Sequence, residues 1–305
     1  MSKECRNGKL LQGKPFLKWV GGKTQLLEEI RKYYPFDEKI TKYAEPFIGG
    51  GAVLFDILKT YDLESVYISD INPELINAYK VVRDNVEELI ENLSILKKEY
   101  MEKDSEKRKE YYLVKRDEFN SMIFDKNFNF TTKASLLIFL NKTCYNGLFR
   151  VNQKGLYNVP AGVYKNPLIC DAENLRNVSK LLQNVEIVCG DYKNSFDFID
   201  EKTFVYFDPP YRPITETSAF TAYTKSGFSD KEQLELGEFI EKLTKKGAKI
   251  VLSNSDPKNN NREDNFFDDL YSNKIIKRVK ASRMLNSNKL KRGRINEILV
   301  SNFEV

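Results

Sequence analysis

The sequence predicts an α/β fold: a mixed, mostly parallel sheet with helices on both faces, interrupted by a mainly helical insert. Two segments, before about residue 85 and after about residue 180, alternate short apolar β-type runs with amphipathic helical patterns. The predicted strands end repeatedly in acidic residues. Between them, from about Asn85 to Lys180, strand alternation is missing and charged helices take over. No internal repeat or low-complexity tract competes with this organisation.

In chain order, helical spacing from Lys23 to Tyr34 stops at Pro35, and Tyr43 to Phe47 reads as a strand followed by glycines and a helix. Ser65 to Ser69 is a second strand, ending at Asp70, with a helix starting near Pro73. The insert holds an apolar helix, Thr131 to Leu140, and a loop region punctuated by Gly and Asn, Asn141 to Gly162. Three later strands follow: Val185 to Cys189 ending at Asp191, Thr203 to Phe207 ending at Asp208, and Lys249 to Leu252 ending at Ser253. Before the last of these, Ser229 and Glu232 form a capping-box pattern and Gly247 stands where a helix C-cap belongs. These boundaries predict one α/β domain built from residues 1–84 and 181–305 and an inserted domain over residues 85–180.

Composition narrows the chemistry. The 305 residues are 41% hydrophobic and 30% charged, and the longest purely apolar run, Leu136 to Leu140, is far too short to span a bilayer. Met1 to Gly13 is polar and lacks the apolar core of a secretory signal, which predicts cytoplasmic residence. Cys5, Cys144, Cys170 and Cys189 show no C-x-x-C pairing, so neither a disulfide framework nor a metal site is expected. The net charge of +5 permits a polyanionic partner without demanding one. The chain has no histidine, which removes the commonest general base and most catalytic zinc sites.

The sharpest motif is Asp208-Pro209-Pro210-Tyr211, directly after an apolar strand. Two prolines cannot continue a ladder and force a rigid turn at the carboxyl end of the sheet, where open α/β sheets bind ligands. An exocyclic amino group conjugated to a purine ring is a poor nucleophile until two acceptors draw its hydrogens out of plane. The Asp208 carboxylate and the Pro209 carbonyl are candidates for that task, with Tyr211 stacked on the base. Taken alone, the motif reads equally well as an ordinary turn with a surface carboxylate.

Glu45 to Gly51 (EPFIGGG) follows a strand and opens a helix, so its glycines let backbone approach a nucleoside closely. It fails the dinucleotide pattern G-x-G-x-x-G, because Leu54 stands where the last glycine belongs. Asp70 sits where an acidic side chain would hold ribose hydroxyls, and it serves equally as the cap of the helix after Pro73. Gly21-Gly22-Lys23-Thr24 invites a phosphate-loop hydrolase reading, but Leu17 occupies the required glycine and no apolar strand precedes it. Trp19 and Lys23 instead offer an aromatic wall and a cation beside a helix start.

Together, Phe16 to Leu27, EPFIGGG, Ser69 to Asn72, Asn146 to Asn152, Tyr157 to Pro160, Glu216 to Thr221, the FDPPY run and Ile295 to Phe303 resemble the Dam-type DNA adenine N6-methyltransferases. The order is that of the alpha group: cofactor motif, recognition insert, then D-P-P-Y. The resemblance implies the S-adenosylmethionine-dependent methyltransferase fold and transfer of a methyl group from S-adenosylmethionine to adenine N6 in double-stranded DNA, with no metal. Trp19, Lys23, Asp70 and Asp208 match cofactor contacts, Phe47, Gly49 and Gly51 the loop beneath the cofactor, and Asp191 a position near its adenine. Asp208, Pro209, Pro210 and Tyr211 match the catalytic motif.

In the insert, Arg150 matches an arginine that reads guanine O6 and N7, and Tyr145, Asn146 and Leu148 match residues wedged around a flipped base. Lys18 and Tyr164 match positions that discriminate the outer guanine of GATC. Where family members often carry arginine, this chain has Val163, which removes an expected phosphate contact. Arg212 to Phe228 has the composition of a segment that orders on DNA. The basic cluster Arg283, Lys289, Lys291, Arg292 and Arg294 is placed either to meet phosphates or as a solvated loop. Arg150 itself reads as a base contact or as an ion-pair partner. The expected partner is DNA, with a restriction endonuclease as a functional and not physical companion, and the expected state is a monomer. An RNA methyltransferase and a catalytically silent DNA binder are the competing readings.

Overall fold

The computed structural model describes residues 12–125, 127–212, 228–282 and 294–305. Its centre is a seven-stranded sheet in the order β3-β2-β1-β4-β5-β7-β6. The strands are β1 (Lys42–Glu45), β2 (Ser65–Asp70), β3 (Val185–Cys189), β4 (Thr203–Phe207), β5 (Lys249–Ser255), β6 (Ile275–Ser282) and β7 (Arg294–Ser301). β1 to β5 pair in parallel, while β7 runs antiparallel between β5 and β6. The sheet is therefore mixed and mostly parallel, as the alternating pattern predicts. β1 lies between β2 and β4, so the strand order reverses there. That reversal opens a crevice at the carboxyl ends of β1 and β4, the general ligand position in such sheets.

Period-two alternation along the strands sorts the two cores. Tyr43, Phe204 and Tyr206 enter one apolar cluster, and Ala44, Val205 and Phe207 the other. The first cluster is covered by α2 (Ala52–Thr60), α3 (Pro73–Asp84) and α7 (Ala172–Leu182), the second by α8 (Asp230–Lys245) and the short α9 (Phe266–Leu270). α8 begins with the expected capping box, Ser229 N donating to Glu232 Oε2 at 2.8 Å, and ends before Gly247 at φ 90°.

Two expectations needed adjustment. Lys23 to Tyr34 is not one helix but a 3-10 turn at Lys23–Gln25, α1 (Leu27–Ile30) and a second 3-10 turn at Arg31–Tyr33. Burial of Lys23, Leu26, Ile30 and Tyr33 keeps helical spacing, so the periodicity reported the buried face and not the hydrogen-bond pattern. The cap of α3 is Asn72, whose side chain accepts from Glu74 N and Leu75 N; Asp70 does not cap it.

Within the insert, α4 (Val86–Met101) and α5 (Ser105–Ser121) pack around α6 (Phe130–Thr143), which is buried on almost every side. α6 also packs on α3, where Lys133 and Glu74 form a nearly buried ion pair at 2.8 Å. The first apolar cluster runs without a break from the sheet into these helices. The last turn of α6 ties its C-terminal loop to the N-terminal segment, Asn141 bonding both Lys18 and Gly147.

Candidate active site

Asp208 leaves β4 at the crevice, and its carboxylate is gripped from below. Lys23 Nζ lies 2.6 Å from Oδ1 and 2.7 Å from Oδ2, with a third bond to Gly21 O at 2.7 Å. Lys23 is only 4% exposed, so this cation belongs to the site and not to a solvent-facing phosphate loop. Ser253, at the end of β5, donates to Asp208 Oδ1 at 3.1 Å and pairs with the buried Tyr206 hydroxyl at 2.9 Å. Burial raises the Asp208 carboxyl above its ordinary range, and Lys23 and Ser253 hold the rise in check. Two further carboxylates feel the same lysine. Glu45, at the end of β1, is pushed well up by burial while accepting from Tyr43 OH at 2.8 Å, and Glu297 on β7 is also raised by burial.

The turn after Asp208 is held by buried amides. Gln233 of α8 donates to Pro210 O at 3.1 Å, and Asn254 of β5 in turn bonds Gln233 at 3.3 Å. No hydrogen bond to the Pro209 carbonyl is found among the described residues. Tyr211 donates to Glu297 Oε2, and Lys23 Nζ sits 4.7 Å from its ring centroid. Arg212 anchors the chain beyond, bonding Asp230 and Asp264 and covering the Phe266 ring.

On the β1 and β2 side, Gly49 and Gly51 adopt positive φ of 46° and 71°. A Cβ at Gly51 would stand 2.5 Å from Tyr79 OH, and one at Gly49 2.9 Å from the Trp19 indole, so only glycine fits this turn. The Asp70 carboxylate accepts from Asn72 N at 2.9 Å and Gly49 N at 3.3 Å, which aims it into the loop. Burial pushes its pKa up to about 6 despite those donors. Phe47 stacks on Tyr192 at 5.3 Å and meets Phe228 edge-on, while Asp191 is exposed and caps the turn containing Tyr192. The result is a closely packed backbone loop beside an aromatic shelf and a half-buried carboxylate.

Trp19 ties this side to the insert by stacking on Phe149 at 5.6 Å. The insert loop is stitched by Asn141 of α6, which accepts from Lys18 N and donates to Lys18 O and Gly147 O. Asn146 adopts φ 57°, the one positive φ outside glycine among the described residues, and Tyr145 and Asn146 project into solvent. Leu148 is half-buried, and its carbonyl accepts from Tyr157 OH. Arg150 is exposed and hydrogen-bonds Asn158 at 2.8 Å, with no carboxylate partner among the described residues. Lys18 Nζ lies 5.0 Å from the Tyr164 ring centroid, and Val163 beside it is 96% exposed.

Residues 19–285 match the profile of the D12 class N6 adenine-specific DNA methyltransferases. The chain belongs to that class. It is 51% identical to the type II methyltransferase M.MjaIII of Methanocaldococcus jannaschii, over 96% of this chain and 100% of that protein. It is 34% identical to the DNA adenine methylase of Haemophilus influenzae, over 95% of this chain and 93% of that protein. The Escherichia coli K12 DNA adenine methylase is similar at 32% identity, over 94% of this chain and 95% of its own length.

Membership in the D12 class implies S-adenosylmethionine as methyl donor, and the residues present suit that molecule. Asp70 is a half-buried acceptor for a ribose diol, the Gly49 to Gly51 turn leaves room for nothing larger than backbone, and Phe47 offers a face to a purine. The structure brings Lys23, Asp208, Pro209, Pro210 and Tyr211 to one crevice and Lys18, Tyr145, Asn146, Arg150 and Tyr164 to one loop cluster. Motif reading gave no role to Asn141, Gln233, Asn254 and Glu297, and it named Glu45 and Ser253 only as a motif start and a strand end, although a polar run closing the apolar strand β5 was a visible signal. Most of Arg212 to Phe228, and the cluster Arg283, Lys289, Lys291 and Arg292, lie outside the described residues. Among the described residues no group of His, Cys, Asp and Glu could hold a metal, and no helix is long and apolar enough to cross a membrane.

Proposed function

We propose that this protein is a site-specific DNA adenine methyltransferase that methylates N6 of a flipped adenine within GATC in duplex DNA. The observation that supports this reading best is the Asp208 carboxylate, held by Lys23 and Ser253 at the strand-order reversal and followed directly by the Pro209 carbonyl. In that mechanism Asp208 and the Pro209 carbonyl accept the two amino hydrogens, turning the nitrogen lone pair out of the ring plane. Tyr211 stacks on the base. Bound S-adenosylmethionine supplies an electrophilic methyl group on a sulfonium. The nitrogen–carbon bond forms as the carbon–sulfur bond breaks, giving S-adenosylhomocysteine and a methylated ammonium that releases its proton to water or to Asp208. No strong base is needed, which suits a chain without histidine.

Residues 1–84 and 181–305 then form the catalytic part and residues 85–180 the target-recognition domain. Trp19, Lys23, Phe47, Gly49, Gly51, Asp70, Asp191 and Asp208 hold the cofactor. Lys18, Tyr145, Asn146, Leu148, Arg150 and Tyr164 engage DNA, because N6 cannot reach a buried methyl donor while its base is stacked. The protein acts in the cytoplasm as a monomer, with a cognate endonuclease as a functional companion. The test incubates purified protein with methyl-labelled S-adenosylmethionine and unmodified duplex, then maps N6-methyladenine. Modification confined to GATC supports the reading. Adenine methylation elsewhere overturns the site assignment alone, and methylation of RNA in preference to duplex DNA overturns the substrate.

Two further results are expected. Arg150→Ala should lower GATC methylation about 10–100-fold and relax discrimination at the guanine it reads, since a bidentate contact contributes about 1–3 kcal/mol. Measuring kcat/KM on duplexes substituted at each guanine checks this; a uniform loss at every position would demote Arg150 to a phosphate contact. Cofactor affinity should depend on Asp70. Ribose hydroxyls favour its ionised form, so affinity for S-adenosylhomocysteine rises with pH through about 6 and then levels. In the empty protein the sign is opposite: a raised carboxyl stabilises the fold below its unfolded pKa, and this is lost as pH rises through about 6. Calorimetric titration across that range, with Asp70→Asn as the pH-insensitive control, decides the point.

A further inference from the structure

We propose that Glu297 is a positioning residue for the D-P-P-Y site, acting through the phenol of Tyr211; this rests on the base-stacking role proposed above for Tyr211. Glu297 comes from the antiparallel strand β7, far in sequence from the motif, where it pairs in register with Ser255 of β5 and Val279 of β6. Its carboxylate accepts the Tyr211 hydroxyl hydrogen bond. The ring is thus fixed at three points: the hydroxyl by Glu297, one face by Lys23 Nζ at 4.7 Å, and the flanking backbone by Gln233 on Pro210 O and Asn254 Oδ1 on Arg212 N.

Two consequences follow from this arrangement. A tyrosine after two prolines still rotates about its own side-chain torsions, and a base that stacks on a freely turning ring must freeze it on binding. A ring pinned at its hydroxyl has already lost that freedom. A phenol that donates to a carboxylate is also richer in electrons, which deepens the negative face presented to a cation. The amino nitrogen becomes cationic as the methyl group arrives, so the effect strengthens in the transition state. Lys23 occupies the ring in the meantime and links Tyr211 to Asp208, so that one buried cation and one half-buried acid set both halves of the motif.

The experiment is a double-mutant cycle on the full chain, with Glu297→Ala, Tyr211→Phe and the double variant, and with Glu297→Gln as the variant that preserves shape. Single-turnover methylation of duplex DNA and 2-aminopurine fluorescence at the target position are read for each, with S-adenosylhomocysteine affinity as the control. Glu297→Ala should slow methylation about tenfold in the tyrosine background and less than about twofold in the phenylalanine background, with Glu297→Gln in between, as expected for a hydrogen bond to a charged group. The fluorescence change on base extrusion should fall in parallel, and cofactor affinity should stay within about twofold. Equal losses in both backgrounds, or no loss in the tyrosine background, overturn the proposal. Failure of the underlying reading looks different: the unmodified protein then leaves adenine unmethylated, or Asp208→Ala methylates as well as the parent, and the proposal falls with it.

Discussion

Asp208→Ala is expected to abolish methylation, by about 100–1,000-fold or more, while leaving S-adenosylhomocysteine binding measurable by calorimetry. The size follows from what the carboxylate does: a preorganised partner aimed at the reacting group is worth about that factor in sites of this kind. Asp208 is already oriented by Lys23 and Ser253, so little reorganisation is left to the reacting complex. Binding survives because the Asp70 carboxylate and the Gly49 to Gly51 turn belong to β1 and β2 and take none of their bonds from Asp208. Asp208→Asn separates shape from charge. The amide keeps one acceptor but must turn either it or a second donor toward Lys23, so an intermediate loss is expected. Turnover by Asp208→Ala within about tenfold of the parent would falsify the two-acceptor mechanism.

The fold was legible because its physics is written locally. Strands buried on both faces show as short apolar runs, and their acidic or polar ends mark the crevice: Asp70, Asp191, Asp208 and Ser253 were all visible. Helix ends carried by side chains were equally plain, as at Ser229 and Glu232. What escaped is long-range. Asn141 joins Lys18 to Gly147 across more than 120 residues of chain, and Glu297 reaches Tyr211 across 86. No local pattern announces such partners. Asp70 shows the limit in another way: a strand-end aspartate and a helix cap look alike in sequence until Asn72 is seen to take the capping bonds. Lys23 looked like the lysine of a phosphate loop or a cofactor contact, and only burial against Asp208 reveals its electrostatic task.

That task gives the second large effect. Lys23→Met should lower methylation at neutral pH, at most by the roughly 100–1,000-fold that losing the Asp208 acceptor costs, and the loss should shrink as pH rises. Lys23 is the main influence opposing the upward push of burial on Asp208, and it also lowers Glu45 and Glu297. Without the cation, all three carboxyls shift further up, so less Asp208 is ionised at neutral pH and less can accept an amino hydrogen. Activity then climbs about tenfold per pH unit below the new Asp208 pKa, as the ionised fraction of a single group must. The parent, whose Asp208 is held lower by Lys23, should level off at lower pH. Stability separates this from damage to the fold. Removing one member of a buried pair leaves the other charge uncompensated, and protonation of that carboxyl relieves the cost, so the thermal midpoint should fall least at mildly acidic pH. A rate loss independent of pH would mean that Lys23 serves the cofactor alone. Nucleotide hydrolysis lost in Lys23→Met but kept in Asp208→Ala would reinstate the phosphate-loop reading that Leu17 and the burial of Lys23 argue against.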